Sequence, residues 1–322
     1  MDGKLLFLAL VIGILILAWV GAGVLWRAAD MAEIVAPIDP YATRDLEVTA
    51  LGTGGEYENP RRHGPSTAIG FGEEVVLVDV GRGVAEALRS AAIPLDQPRV
   101  VVLTSLLPVN TMGLDDLIFT SWLTPGRAPL RVLGPPGTRA FVEALATAYA
   151  PGGAALGEAL ALPKEGARVA GEDVEDGFVE TLGELRLEAR ALPGGPLPTL
   201  AWRFSNGDHR IVVSGAGWGR DVLASFAGGA DVLVHEAAYL PTVEELEGTG
   251  NEVEDPERIR RERAFHTSLE DVGDLATDAQ VDRLVLVRLR PPPLFELQYR
   301  SIVARDYEGE ILLPEDGDVV FP

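Results

Sequence analysis

Short runs of β-branched and other apolar residues alternate with amphipathic segments along most of this chain. That alternation is the signature of a layered α/β domain. It predicts strands at 46–51, 74–80, 99–104, 130–133, 185–191, 200–204, 210–214, 230–235, 283–288 and 310–313, and helices at 83–92, 114–122, 138–150, 220–227 and 268–279. Val75-Val76-Leu77-Val78 and Leu284-Val285-Leu286-Val287 are apolar throughout, as strands covered on both faces require. Ser268 and Asp271 have the spacing of a helix N-cap and its partner. Asn206-Gly207-Asp208 reads as a hairpin turn, with His209 at the surface behind it. The charge-dense stretch 244–263 reads as a solvated loop or an exposed helix. No repeat of solenoid period is present.

The pattern breaks at the N-terminus, where residues 5–26 carry no charge. A run of about 22 residues matches the thickness of a bilayer core at about 1.5 Å per residue. Lys4 and Arg27 bracket it, and Trp19 and Trp26 suit an interface. A cleaved signal peptide is the competing reading. Such peptides have apolar cores of about 7–15 residues and small residues at the cleavage site. This run is longer, and Ala18-Trp19-Val20 is a poor cleavage site, so an anchor is expected. The division is then a tail at 1–4, a transmembrane anchor at 5–26, a linker at 27–44 and one domain over 45–322. The amino terminus and Lys4 favour an inside N-terminus and a periplasmic, extracytoplasmic domain.

Charge and composition narrow the chemistry. The 322 residues carry a formal net charge of −22 and no cysteine. Disulfides, thiolate metal sites and cysteine nucleophiles are therefore excluded. A surface this acidic repels phosphate backbones, which argues against nucleic-acid binding. No Gly-x-Ser-x-Gly elbow occurs, and Ser214 has no evident histidine partner. Gly52-Thr53-Gly54-Gly55 lacks the Gly-Lys-Ser/Thr ending of a phosphate loop. The stretch 289–295 is proline-stiffened, and a docking surface and a packed connector are both open readings.

An ordered set of motifs carries a family resemblance. Leu51-Gly52-Thr53-Gly54-Gly55, Arg62-His63-Gly64-Pro65-Ser66-Thr67 and Leu77-Val78-Asp79-Val80-Gly81 come first. Gly113-Leu114-Asp115-Asp116-Leu117, Gly134-Pro135-Pro136-Gly137-Thr138, Ser214-Gly215, Leu233-Val234-His235-Glu236-Ala237 and His266-Thr267-Ser268 follow. Together they resemble the ribonuclease Z and arylsulfatase-like branch of the metallo-β-lactamase superfamily, from residue 46 onward. The resemblance implies an α/β fold, a four-layer αββα sandwich, preceded here by one transmembrane helix. It also implies metal-assisted hydrolysis, in which a zinc pair generates hydroxide near neutral pH.

The positions that the resemblance assigns to metal ligands all depart from the pattern. The histidine-rich loop holds Ser105, Leu107, Val109 and Asn110, a later histidine falls near Gly194, an aspartate is Ala216 and the last histidine is Arg288. Leucine and valine cannot coordinate zinc, and a guanidinium only donates. The chain's four histidines, His63, His209, His235 and His266, are too few to fill the family's set. Asp79, His235, Glu236 and His266 remain as neighbours of the vanished site. Asp79 is expected to cap its turn and His63 to be exposed.

These departures lead to the expectation of a non-catalytic protein without metal or other cofactor. On this reading it is a structural or accessory subunit of an energy-transducing or secretory membrane complex. Two readings stand beside it. One is a hydrolase with a relocated, mononuclear site at Asp79, His235, Glu236 and His266. The other is a sensor whose vacated cleft, with Arg288, binds an anionic small molecule.

Overall fold

The computed structural model describes the backbone of residues 3–57, 59–124, 127–215, 217–248, 255–291 and 296–322. It divides into two compact units, Met1–Asp39 and Pro40–Pro322. The first is dominated by helix α1 (Gly3–Val35). Its segment Leu10–Ala29 is long and apolar enough to cross a membrane, at 20 residues.

Among the described residues, the second unit contains fourteen strands: β1 (Thr43–Gly52), β2 (Ser66–Gly72), β3 (Glu74–Val78), β4 (Val100–Val102), β5 (Leu130–Gly134), β6 (Val169–Asp173), β7 (Val179–Leu182), β8 (Leu185–Leu192), β9 (Thr199–Ser205), β10 (Arg210–Val213), β11 (Val232–Ala238), β12 (Arg283–Arg290), β13 (Glu310–Leu312) and β14 (Val319–Val320). Its helices are α2 (Val84–Ser90), α3 (Pro108–Thr111), α4 (Leu114–Trp122), α5 (Thr138–Leu160), α6 (Arg220–Ala227), α7 (Val243–Gly248), α8 (Pro256–Phe265), α9 (Leu269–Ala279) and α10 (Glu296–Val303). The strands form two mixed seven-stranded sheets, in the orders β14-β1-β2-β3-β4-β5-β6 and β13-β12-β11-β10-β9-β8-β7.

The same construction appears in both sheets. The pairs β3/β4, β4/β5 and β5/β6 are parallel, and so are β10/β11, β11/β12 and β12/β13. Parallel neighbours need a crossover, and each crossover here contains at least one helix. Period-two alternation then sorts the apolar residues. Val76, Val78, Val234, Val285 and Val287 fill the space between the sheets. Leu77 packs on the helices of the first sheet, and Leu233, Leu284 and Leu286 on those of the second. The result is the expected four-layer αββα arrangement.

Several element expectations meet the structure closely. Helices α4 and α6 span the expected residues, and Ser268 caps α9, its Oγ accepting from the Asp271 amide at 3.1 Å. Strands β2, β6, β7 and β14 escape the pattern. Strand β2 is glycine-interrupted and β14 has two residues, whereas β6 is only partly buried. Helix α5 runs on through Pro151 to Leu160, well past the expected end. The stretch 244–263 contributes to α7 and α8, and its residues 249–254 lie outside the described residues, as do 292–295 of the proline-rich stretch.

Trp202 of β9 is fully buried between the sheets. Its Nε1 donates to the Leu103 carbonyl at 3.0 Å, and Phe178 meets it edge-on at 6.2 Å between ring centroids. Replacing it with alanine opens a void that the two rigid sheets cannot close. Trp202→Ala is expected to cost about 3–5 kcal/mol, read from the denaturant midpoint of the full chain. A loss below about 1 kcal/mol would mean that the intersheet core is not packed around this ring.

Candidate active site

The C-terminal ends of the parallel strands in both sheets converge on one edge, where α/β folds commonly bind ligands. Asp79 follows β3, Thr104 and Ser105 follow β4, Ser214 follows β10, His235 and Glu236 lie in β11, and Arg288 lies in β12. A cleft of about 480 Å³ opens there. Leu107, Pro108, Val109, Met112 and Phe265 give it apolar walls, and Arg82, Arg258, Arg261, Arg288 and Arg290 bring charge.

An ion pair across the sheets forms the floor. The Arg288 Nη2 donates to Asp79 at 2.5 Å, and its Nη1 donates to the Asn110 Oδ1 at 2.7 Å. Asp79 also accepts from the Thr104 amide at 2.8 Å and the Thr104 hydroxyl at 2.7 Å. The Asn110 Nδ2 donates to the Ser105 Oγ at 2.9 Å. Burial raises the Asp79 carboxyl above its ordinary value, and Arg288 and Thr104 oppose that rise. Both ends of the pair are left-handed, with φ 57° at Asp79 and 54° at Arg288. Such a conformation costs a non-glycine residue about 1–2 kcal/mol, and tight surroundings must hold it. The expectation that Asp79 caps its own turn is corrected: its carboxylate binds Thr104, beyond the next strand, and is the anion that Arg288 requires.

A second network runs along the wall. His266 Nδ1 lies 2.8 Å from the Glu236 carboxylate, whose other oxygen accepts from the Thr267 amide at 3.1 Å. On its far side His266 Nε2 lies 3.5 Å from Glu56 and 3.1 Å from Arg290 Nη1. Burial alone would lower the His266 pKa, but the hydrogen bonds to Glu236 and Glu56 outweigh it and raise it to about 9. Burial would conversely raise Glu56, yet His266 and Arg290 help pull it down to about 2. His266 is therefore an imidazolium at neutral pH, held between two carboxylates.

His235 behaves oppositely. It is buried, with Nδ1 2.5 Å from the Ser214 Oγ and Nε2 2.8 Å from the Thr267 Oγ1. Burial lowers its pKa to about 4, so it is neutral. The expectation that Ser214 lacks a histidine is thus corrected. The parallel register of β10 and β11 pairs Val213 with Val234, which brings the next residues, Ser214 and His235, side by side. Both are buried and neither lines the cleft.

The remaining sequence candidates fall in different places. Ser105 and Asn110 are buried beneath the cleft, and Leu107 and Val109 line it. Gly194 is exposed in the loop after β8, away from the cleft lining, and Ala216 lies outside the described residues. His63 is not simply exposed. Its Nδ1 sits 2.9 Å from Asp316, which also accepts from the Thr53 amide and hydroxyl. Among the described residues, no group of three or more His, Cys, Asp or Glu side chains is placed to hold a metal ion. Sequence reasoning missed Glu56, Arg82, Arg258, Arg261 and Arg290. Their signal was weak because they are scattered over loops, α8 and the last residue of β12, and only the fold gathers them.

The fold defines the class. A metallo-β-lactamase fold protein of Bacillus subtilis, YhfI, superposes with a TM-score of 0.66 at 18% identity, covering 85% of this chain and 99% of its own. The short form of human tRNase Z gives 0.64 at 18% identity, with 86% and 99% covered. In sequence the chain is 30% identical over 279 residues to a ribonuclease Z of Mycobacterium sp. strain KMS, covering 84% of this chain and 94% of that protein. A ribonuclease Z of Mycolicibacterium gilvum is 30% identical over 280 residues, with 84% and 94% covered. The chain belongs to the ribonuclease Z family of the metallo-β-lactamase superfamily. No family model matches the sequence.

These relatives correct two expectations. A non-catalytic, structural or accessory subunit is not what they point to, because proteins matched over 84% of the chain carry the name of a ribonuclease, a hydrolase. The exclusion of nucleic acid also falls, since RNA is in that name and tRNA is in the name of a structural neighbour. The earlier inference took net charge as a property of every surface. Charges further apart than about 8–10 Å are screened, so a ligand feels its local surroundings. Five arginines and His266 line the cleft against three glutamates, within a chain of net charge −22.

Two tests follow from this geometry. Arg288→Ala leaves Asp79 buried without its partner and is expected to cost about 3–5 kcal/mol in chemical denaturation at neutral pH, whereas replacing both residues by apolar ones costs less than either single change. Additive single costs would show that the pair is not coupled. The second test is the pH dependence of stability. His235, lowered to about 4 from 6.5, contributes stability above pH 6.5 that is lost as pH falls through 4. His266, raised to about 9 from 6.5, contributes stability below pH 6.5 that is lost as pH rises through 9. His235→Gln should flatten the acid limb and His266→Gln the alkaline limb of the melting-temperature profile.

Proposed function

We propose that this chain is a membrane-anchored hydrolase of the ribonuclease Z family whose cleft takes a phosphodiester of RNA. The observation that carries the reading is His266, fixed by Glu236 at 2.8 Å in a cleft crowded with guanidinium groups. Guanidinium matches the paired oxygens of a phosphate in charge and shape.

The zinc pair implied by the resemblance does not fit the residues present, and we propose that it has been lost. Ser105, Leu107, Val109, Asn110, Gly194 and Arg288 stand at the expected ligand positions, with Ala216 among them outside the described residues. Among the described residues, Asp79 is the anion that Arg288 meets at the floor, and Arg288 already neutralises it. A divalent cation there would meet a guanidinium instead of an anionic ligand set. No step is therefore assigned to a metal.

The chain's own groups support a simpler route. Arg288, Arg290 and Arg82 border the space where the phosphate would sit. Water adds to phosphorus, the bond to the leaving oxygen breaks, and His266 gives that oxygen the proton on Nε2. The proton released by the attacking water restores the imidazolium. Glu236 fixes the ring through Nδ1, a positioning role.

The anchor belongs to the same proposal. The segment 5–26 spans the membrane and the domain at 45–322 faces the periplasm; the expected linker 27–44 is corrected at both ends, since α1 continues to Val35 and β1 starts at Thr43. The uncharged run and Lys4 support this, as does the division into units after Asp39.

An end-labelled RNA incubated with the detergent-solubilised full chain and a chelator tests the chemistry. Cleavage is expected to persist in chelator, with kcat falling as pH rises through about 9. His266→Ala should lower kcat about 10²-fold or more. Cleavage abolished by the chelator, or absent under all conditions, would overturn the reading.

A further inference from the structure

A second hollow of about 370 Å³ adjoins the cleft and shares Gly55, Glu56, Glu262 and Arg290 with it. Its own lining differs from that of the cleft. Tyr57, Tyr239, Leu240, Pro241 and Ile259 make it aromatic and apolar. Tyr57 is 55% exposed and Tyr239 is 37% exposed. The Arg290 guanidinium carbon lies 4.6 Å from the Tyr57 ring centroid, and its Nη2 donates to the Tyr57 hydroxyl at 2.8 Å. The Tyr239 amide donates to the Arg290 carbonyl at 2.7 Å. Arg290 is thus the partition between the hollows and the anchor of the Tyr57 ring, while its main chain fixes the backbone of Tyr239.

We propose that this second hollow is a nucleobase subsite, filled by the base of the nucleotide whose phosphate occupies the cleft. The inference rests on the phosphodiester reading and adds to it the part of the substrate that is recognised. A flat heteroaromatic ring suits the lining. Exposed tyrosine faces stack on any base, and the adjacent guanidinium strengthens the contact through its charge. Asn59 and Glu262 offer polar atoms to the edge of the ring. A phosphate engaging Arg290 from the cleft side would leave its nucleoside within reach of Tyr57 and Tyr239. An inorganic anion or a bare sugar phosphate would use the cleft and leave the aromatic hollow empty.

Titration calorimetry on the full chain in detergent separates the two ideas with three probes: adenosine 5′-monophosphate, ribose 5-phosphate and inorganic phosphate. The nucleotide is expected to bind about tenfold or more tighter than ribose 5-phosphate, the gain typical of one stacked base. Tyr57→Ala and Tyr239→Ala should each bring that ratio toward one. Tyr57→Phe, which keeps the ring and loses the hydroxyl, should retain it. Equal affinities for the nucleotide and ribose 5-phosphate in the unaltered chain would overturn the subsite, as would a ratio unmoved by both alanine variants. Binding of the nucleotide with no detectable binding of either phosphate probe would overturn the cleft reading and leave the subsite standing. Failure of all three probes would overturn both.

Discussion

The ion pair between Asp79 and Arg288 is the constraint on which the site depends. It joins the end of β3 in one sheet to β12 in the other, so the relative position of the two sheets fixes its geometry. Each member sits in a left-handed backbone conformation that an aspartate or an arginine would not adopt freely. Burying two charges is unfavourable unless hydrogen bonds and Coulomb attraction compensate. Here Thr104 and Asn110 complete the set of partners, and Ser105 in turn holds Asn110. Removing the cation would leave a buried carboxylate, and removing the anion would leave a buried guanidinium. The floor is therefore an all-or-none assembly, and the cleft above it inherits its rigidity.

The wall of the cleft follows a different electrostatic logic. His266 and Arg290 meet Glu56 and Glu236 in a chain of alternating charge. His235, one residue from Glu236 along β11, is neutral because it is buried, where two hydroxyl groups meet its ring nitrogens. Successive side chains on a strand point to opposite faces, so Glu236 meets His266 at the cleft while His235 lies buried away from it. The positive character of the cleft is thus local, built within a strongly acidic chain.

Much of the fold was legible because its signals are periodic. The apolar runs of β3 and β12 announce strands covered on both faces, and Ser268 with Asp271 announces the start of α9. Glycine in the Leu51-Gly52 motif is required by close packing, since a Cβ at Gly52 would lie 1.9 Å from the Gly64 carbonyl oxygen. The site was less legible. Asp79, Glu236, His266 and Arg288 stand in motifs and could be singled out, yet which of them pair depends on contacts across the sheets. Glu56 and Arg290 are 234 positions apart in sequence and carry no motif of their own. Charge totals misled, because a sum over the chain hides the five arginines that the fold collects.

The family relationship and the floor of the cleft pull in different directions, and physical chemistry says how they can coexist. A guanidinium carries one charge, accepts no lone pair and cannot lower the pKa of a bound water as a divalent metal does. Because Arg288 is paired with Asp79, neutralising a phosphate falls to the other cleft arginines. A site that exchanged metal for guanidinium would keep substrate binding and lose its supply of hydroxide. The burden of catalysis would then shift from the nucleophile to the leaving group. Protonating a departing oxygen needs an acid that stays charged at neutral pH, and the two carboxylates around His266 supply that condition. On the proposed route, the pairing of His266 with Glu236 is accordingly the feature on which leaving-group protonation depends.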